Sequence, residues 1–192
     1  YHLNHGPDLR DYQNEAVNQA MRHFESHPIS NYKLFWCCGL GKTKTAISIP
    51  KKGGNAIDAA IAASAVQTVI EPNSTSIGGD CFALISLKGN KPISVNGSGI
   101  APLKNNINFF ENNKINKIET TSPHSVTIPG AIHAWFAMHQ KYGSLDFEEL
   151  FISAEEYARN GFPIHEVVAR AWGENIDKLK NHPSTESIYL KN

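Results

Sequence analysis

At 192 residues the chain has room for one ordinary domain, or for a small domain joined to part of another. Hydrophobic residues make up 41% and charged residues 19%, which excludes a disordered chain of low hydrophobicity and high charge. Eighteen basic residues balance eighteen acidic ones, so net charge supplies no broad attraction to nucleic acid or an anionic membrane.

No apolar run approaches the roughly 20 residues of a membrane-spanning helix, so no membrane span is expected. Residues 1–10 are polar and carry no secretory-leader pattern. Position 1 is Tyr rather than Met, which predicts a native N-terminus upstream. Cys37, Cys38 and Cys81 are odd in number, with two adjacent, and make a poor disulfide framework. No Cys/His spacing fits a zinc site, so the nine histidines read as scattered surface and core residues and no metal site is expected.

In chain order, Leu9-Arg10-Asp11-Tyr12-Gln13 precedes a helical stretch over residues 15–25, where Ala16, Ala20 and Phe24 recur every four residues. His27-Pro28 breaks it. Residues 33–38 read as a short buried strand, followed by Gly39-Leu40-Gly41-Lys42-Thr43 and a helix from Lys44. Strand, glycine loop, Lys-Thr and helix is the order of a phosphate-binding loop: glycines turn backbone N–H groups toward phosphate, Lys42 reaches the outer phosphates and Thr43 holds magnesium. The strict pattern wants a glycine at position 36, which is Trp. The competing reading is a plain glycine turn with an exposed lysine.

Leu9-Arg10-x-Tyr12-Gln13 ahead of Gly39-x-Gly41-Lys42-Thr43 resembles the opening of superfamily-two DNA or RNA helicases. The resemblance implies that Gln13 contacts adenine and that Gly39, Gly41, Lys42 and Thr43 bind ATP with magnesium. Nucleic acid is a partner only under this alternative. The acidic magnesium motif, the later arginine motifs and the second motor domain have no counterpart, so a helicase mechanism cannot run on this piece.

A second part begins abruptly near residue 51 with Lys52-Gly53-Gly54-Asn55-Ala56-Ile57-Asp58. The expected domains are therefore 1–50 and 51–192, with an accidental join between them. Asn55 caps a helix and Asp58 places a carboxylate in its first turn. Alanine on most faces makes a smooth internal helix running to about Val69, ended by Glu71-Pro72. Residues 81–87 read as a strand buried on both faces, Gly89-Asn90 as a hairpin turn and residues 92–96 as the returning strand. Residues 104–118 read as a surface loop with a short helix at Phe109-Phe110. Residues 125–128 read as a short strand. Pro129-Gly130 opens a helix bearing Ile132, Trp135, Phe136 and His139, ended by Tyr142-Gly143. Asp146 and Glu149 form a capping-box pattern for a helix carrying Leu150, Phe151, Ala154, Tyr157 and Ala158, which stops at Asn160-Gly161. A last helix is expected over residues 167–172.

The blocks Lys52-Gly53-Gly54-Asn55-Ala56-Ile57-Asp58-Ala59-Ala60, Glu71-Pro72 with Gly78-Gly79-Asp80, Ser125-Val126-Thr127-Ile128-Pro129-Gly130-Ala131, Tyr142-Gly143 and Tyr157-Ala158-x-x-Gly161-Phe162-Pro163 resemble, in order, those of gamma-glutamyltransferases. The resemblance covers nearly all of residues 52–192. It implies an α+β fold, part of the αββα sandwich of N-terminal-nucleophile hydrolases. It also implies a precursor that cuts itself to expose a nucleophilic Thr, which attacks a gamma-glutamyl amide; water or an amino acid then takes the acyl group. That Thr and the small subunit it leads are expected beyond Asn192, so no catalytic residue is assigned within the chain and the chain alone is expected to be inactive. The transferase part is expected to need no cofactor. Family members are often periplasmic or extracellular; localisation of this chain stays open.

Such enzymes commonly carry, before Ala101-Pro102, an Arg that holds the substrate carboxylate. This chain reads Asn96-Gly97-Ser98-Gly99-Ile100, without Arg. Ser98 and the Gly99 backbone are the candidate substrate contacts, with a structural turn as the competing reading of the glycines. A related acylase with a non-glutamyl substrate is the alternative. Gly78-Gly79-Asp80 reads as a tight turn, Trp135 and Trp172 as packing residues, and His124, His133 and His139 as surface or satisfied core residues. A sandwich missing later strands would expose a sheet edge, which predicts poor solubility.

Overall fold

The computed structural model describes residues 40–190. They fall into two compact units, one holding residues 79–134 and the other residues 40–78 with 135–190.

The second of these is helical. Helix α1 spans Leu40–Lys51 and α2 spans Ala56–Ile70. The first begins at Leu40, four residues before the expected start at Lys44, and continues through Pro50, across the expected domain boundary. Pro50 lacks an N–H and stops the helix within one residue. Lys52 N and Gly54 N then close the end on Ile49 O at 3.0 and 3.1 Å. A Cβ on Gly54 would meet Ile49 Cγ2 at 2.5 Å and Leu145 Cδ1 at 2.9 Å, so a larger residue here would have to push both side chains aside.

Helix α2 begins where the sequence predicts and ends one residue later than Val69. Ala59, Ala62, Ala63 and Ala65 are buried with Ile61 and Val66. Methyl-sized side chains let neighbouring backbones come close, and Ile61 and Val66 each add about 1.5–3 kcal/mol of burial. α1 packs on α2, as do the 3-10 turn Phe147–Phe151 and α5 (Ile152–Asn160), whose buried residues are Leu150 and Ala154. The expected capping box at Asp146 is absent: its side chain makes no capping bond, and its backbone carbonyl accepts from Glu149 N at 3.1 Å. A 3-10 turn closes i to i+3 through the backbone and takes the donor that the carboxylate would have used. Gly161 ends α5 as predicted. α6 (Glu166–Gly173), α7 (Ile176–Lys180) and α8 (Pro183–Tyr189) follow.

In the other unit, β1 (Cys81–Ile85) and β2 (Ile93–Gly97) form an antiparallel hairpin with Ala83 opposite Val95. Asn90 N donates to Leu87 O at 3.0 Å in the expected turn. Burial on both faces is corrected. Ile85, Val95 and Gly97 share the covered face, while Phe82, opposite Asn96, is 58% exposed on the other. The strand therefore follows the period-2 alternation of a half-buried sheet. α3 (Ile107–Asn112) is capped by Asn106, whose Oδ1 accepts from Phe109 N at 3.0 Å.

The expected strand over residues 125–128 does not form. A 3-10 turn, Pro123–Ser125, takes its start, and Ile128 N donates to Ile100 O at 2.9 Å. Pro129 has no N–H with which to continue a ladder. The carbonyl of Gly79 then accepts from Gly130 N and Ala131 N at 3.0 and 3.1 Å, at the start of α4 (Ala131–Tyr142).

Candidate functional site

Ser98 and Gly99 lie in the loop leaving β2, alongside residues 127–130. Ser98 N donates to Asn96 Oδ1 at 3.1 Å, and Ser98 O accepts from Thr127 Oγ1 at 3.3 Å. Its hydroxyl reaches Gly99 O at a long 3.4 Å. Gly99 has φ +74°, and a Cβ there would overlap Ile128 O. Glycine is thus required by the backbone itself, which accounts for the Gly99 position without any ligand. Ile100 is 58% exposed beside it. Residues 96–102 offer a hydroxyl, amides and an apolar side chain, but no cation. Such a loop can hydrogen-bond a polar ligand, and it has no guanidinium to clamp a carboxylate bidentately.

A second cluster, in the helical unit, joins the start of α2 to the turn after α4. Asn55 Oδ1 accepts from Ile57 N and Asp58 N at 2.8 and 3.2 Å. Its Nδ2 donates to Tyr142 O at 2.6 Å and Ser144 Oγ at 2.8 Å. Asp58 is 0% exposed; Oδ2 accepts from Asn55 N at 2.9 Å, and Ser144 N donates to Oδ1 and Oδ2 at 3.2 and 3.0 Å. His139 Nε2 donates to Leu145 O at 2.7 Å and lies 3.8 Å from Asp58 Oδ1. Because that imidazole nitrogen is committed to a backbone carbonyl, Ser144 and His139 do not form a nucleophile–base pair. The cluster is a brace. Capping by Asn55 and Asp58 was legible in the sequence; the Tyr142–Leu145 partners were not, although Tyr142-Gly143 stood among the motif blocks. His139 and Trp135 are, as expected, satisfied or packed: Trp135 is buried, its ring 6.3 Å from that of Phe151.

Of the nucleotide-binding candidates, Gln13 and Gly39 lie outside the described residues, as does the strand over residues 33–38. Gly41, Lys42 and Thr43 fall within the first turn of α1. No group of three or more His, Cys, Asp or Glu side chains suited to a metal ion occurs among the described residues. None of the described helices is long and apolar enough to cross a membrane.

The family model described as gamma-glutamyltranspeptidase matches residues 43–192. The chain belongs to the gamma-glutamyltranspeptidase family. The match begins at Thr43 within α1, eight residues ahead of the boundary expected at 51, so the helicase-like reading gains no support from the greater part of that helix. Among curated relatives, the glutathione hydrolase-like YwrD proenzyme of Bacillus subtilis is 33% identical over 141 residues, covering 73% of this chain and 27% of that protein. Among solved structures, the gamma-glutamyltranspeptidase of Helicobacter pylori superposes with TM-score 0.75 at 28% identity, over 86% of this chain and 49% of that one. The cephalosporin acylase of Bacillus halodurans does so with TM-score 0.70 at 32% identity, over 82% and 31%. The chain spans about a quarter of the length of the first curated relatives it matches.

Proposed function

We propose that this chain supplies part of the large subunit of a self-processing gamma-glutamyl acyl-transfer enzyme acting on glutathione-type amides. The family match over residues 43–192 carries the reading. In it, the β1–β2 hairpin belongs to one sheet of an αββα sandwich, and the α2–α4 brace fixes the helical layer. The nucleophilic Thr, led by its own α-amine, comes from chain outside the described residues. Water or an amino acid accepts the acyl group, and the chain by itself has no turnover.

A second reading, an acylase for a non-glutamyl amide, is favoured by the cation-free loop of residues 96–102 and by the similarity to the cephalosporin acylase. One experiment separates the two. Residues 43–192 replace the matching segment of the Bacillus subtilis relative, and the purified product is offered a gamma-glutamyl anilide and a cephalosporin amide. Preferred hydrolysis of the gamma-glutamyl anilide supports the first reading. Preference for the cephalosporin amide replaces it with the second, and hydrolysis of neither by a folded product removes both.

A further inference from the structure

Asn73-Ser74-Thr75 has the Asn-x-Ser/Thr pattern of an N-glycosylation acceptor, with a residue other than proline in the middle. It sits in the turn after α2. Ser74 N and Thr75 N donate to Glu71 O at 2.9 and 3.1 Å, and Thr75 Oγ1 donates to the same carbonyl at 3.3 Å. Asn73 is exposed, and its Nδ2 donates to the neighbouring Ser74 hydroxyl at 3.1 Å, a surface bond easily exchanged for another.

Asn73 also forms part of the wall of a groove of about 310 Å³ in the same unit, together with Trp172, Asn175, Lys178 and Tyr189. The Trp172 and Tyr189 rings meet edge to face with centroids 5.8 Å apart. A pyranose ring carries C–H bonds on its faces and polar groups on its rim. It matches a groove whose lining combines two aromatic side chains with amides and an ammonium group.

We propose that Asn73 is an N-glycan acceptor whose first N-acetylhexosamine seats in this groove against Trp172 and Tyr189. The co-reactant is a polyprenyl-diphosphate-linked oligosaccharide, and the catalyst is an oligosaccharyltransferase. Asn73 Nδ2 bonds to the anomeric carbon as the bond from that carbon to the diphosphate oxygen breaks. Polyprenyl diphosphate leaves, and Nδ2 gives one proton to a base of the transferase. The site is independent of the acyl-transfer reading.

The test places the full chain behind a cleavable leader and translates it with endoplasmic-reticulum microsomes. Asn96-Gly97-Ser98 has the same acceptor pattern, so the test is run in a Ser98→Ala background; there the expected product is heavier, sensitive to a peptide-N-glycosidase, and modified on the peptide containing Asn73. The modification is lost in Asn73→Gln and Thr75→Ala and kept in Thr75→Ser. Because the transfer acts on the translocating chain, misfolding of a variant does not mimic its loss. An unmodified Asn73 peptide in translocated wild-type chain overturns the acceptor. Seating is read on chain secreted from insect cells. Removing the whole glycan shifts tryptophan emission, trimming to a single N-acetylglucosamine does not, and the shift disappears in Trp172→Phe. Identical emission in all three glycan states overturns the seating.

Discussion

Asp58 is a buried carboxylate whose two oxygens accept from two backbone N–H groups, one three residues before it and one 86 residues away. Removing it takes the partner from Asn55 N and Ser144 N, two donors at the half-buried mouth of the cluster. Asp58→Ala is therefore expected to lower unfolding free energy by about 1–3 kcal/mol, read as a drop in the urea midpoint. Ser144→Ala keeps the backbone donor, and Asn55 Nδ2 still reaches Tyr142 O, so that change is expected to cost under about 1 kcal/mol. Equal losses from both substitutions would contradict the brace. Gly99→Ala forces φ +74° on an L side chain and a clash with Ile128 O; it is expected to destabilise by about 1–3 kcal/mol in the same measurement, well beyond Ser98→Ala. At this scale the sequence disclosed local chemistry and little more. Asn55 and Asp58 declared a cap because the cap lies within three residues. Nothing local to them indicates Tyr142 and Ser144, which only the folded chain brings near. The φ of Gly99 was likewise invisible, though its glycine was rightly suspected of a turn.

Elements with a strong period were legible. α2 and the hairpin stand within a residue or two of where alanine content and Gly89-Asn90 placed them, and α5 ends where Asn160-Gly161 set its stop. The misses share a cause. Residues 125–128 have β-branched side chains, yet Pro129 removes a ladder donor and Ser122 caps a 3-10 turn at their start. Asp146 and Glu149 have capping-box spacing, yet the segment winds as 3-10 rather than α. In both, backbone hydrogen-bond geometry outweighed side-chain propensity. The hairpin also carries an expected liability: one of its faces presents Phe82 to solvent, and a two-stranded sheet leaves strand edges to recruit other chains. The chain is expected to scatter light progressively at micromolar concentration, and Phe82→Lys to slow that growth several-fold. Unchanged scattering in Phe82→Lys would place the association elsewhere.

For the whole molecule, ordered motif blocks spread over residues 52–163 disclosed the family before any geometry did, because a sequence of separate blocks is hard to reproduce by chance. What stayed illegible is donor choice, since the loop of residues 96–102, which could have declared it by a guanidinium, carries none. Supplied with a gamma-glutamyl anilide, the chain alone is expected to release no amine; measurable turnover would show that it holds its own nucleophile. Self-processing is the most direct probe of membership in a working N-terminal-nucleophile precursor. Residues 43–192 replace the matching segment of the Bacillus subtilis proenzyme, folding is checked by circular dichroism, and cleavage is followed by denaturing electrophoresis. Two subunits with a new N-terminal Thr on the smaller one are the predicted result. A folded precursor that remains a single uncut chain would contradict the proposal.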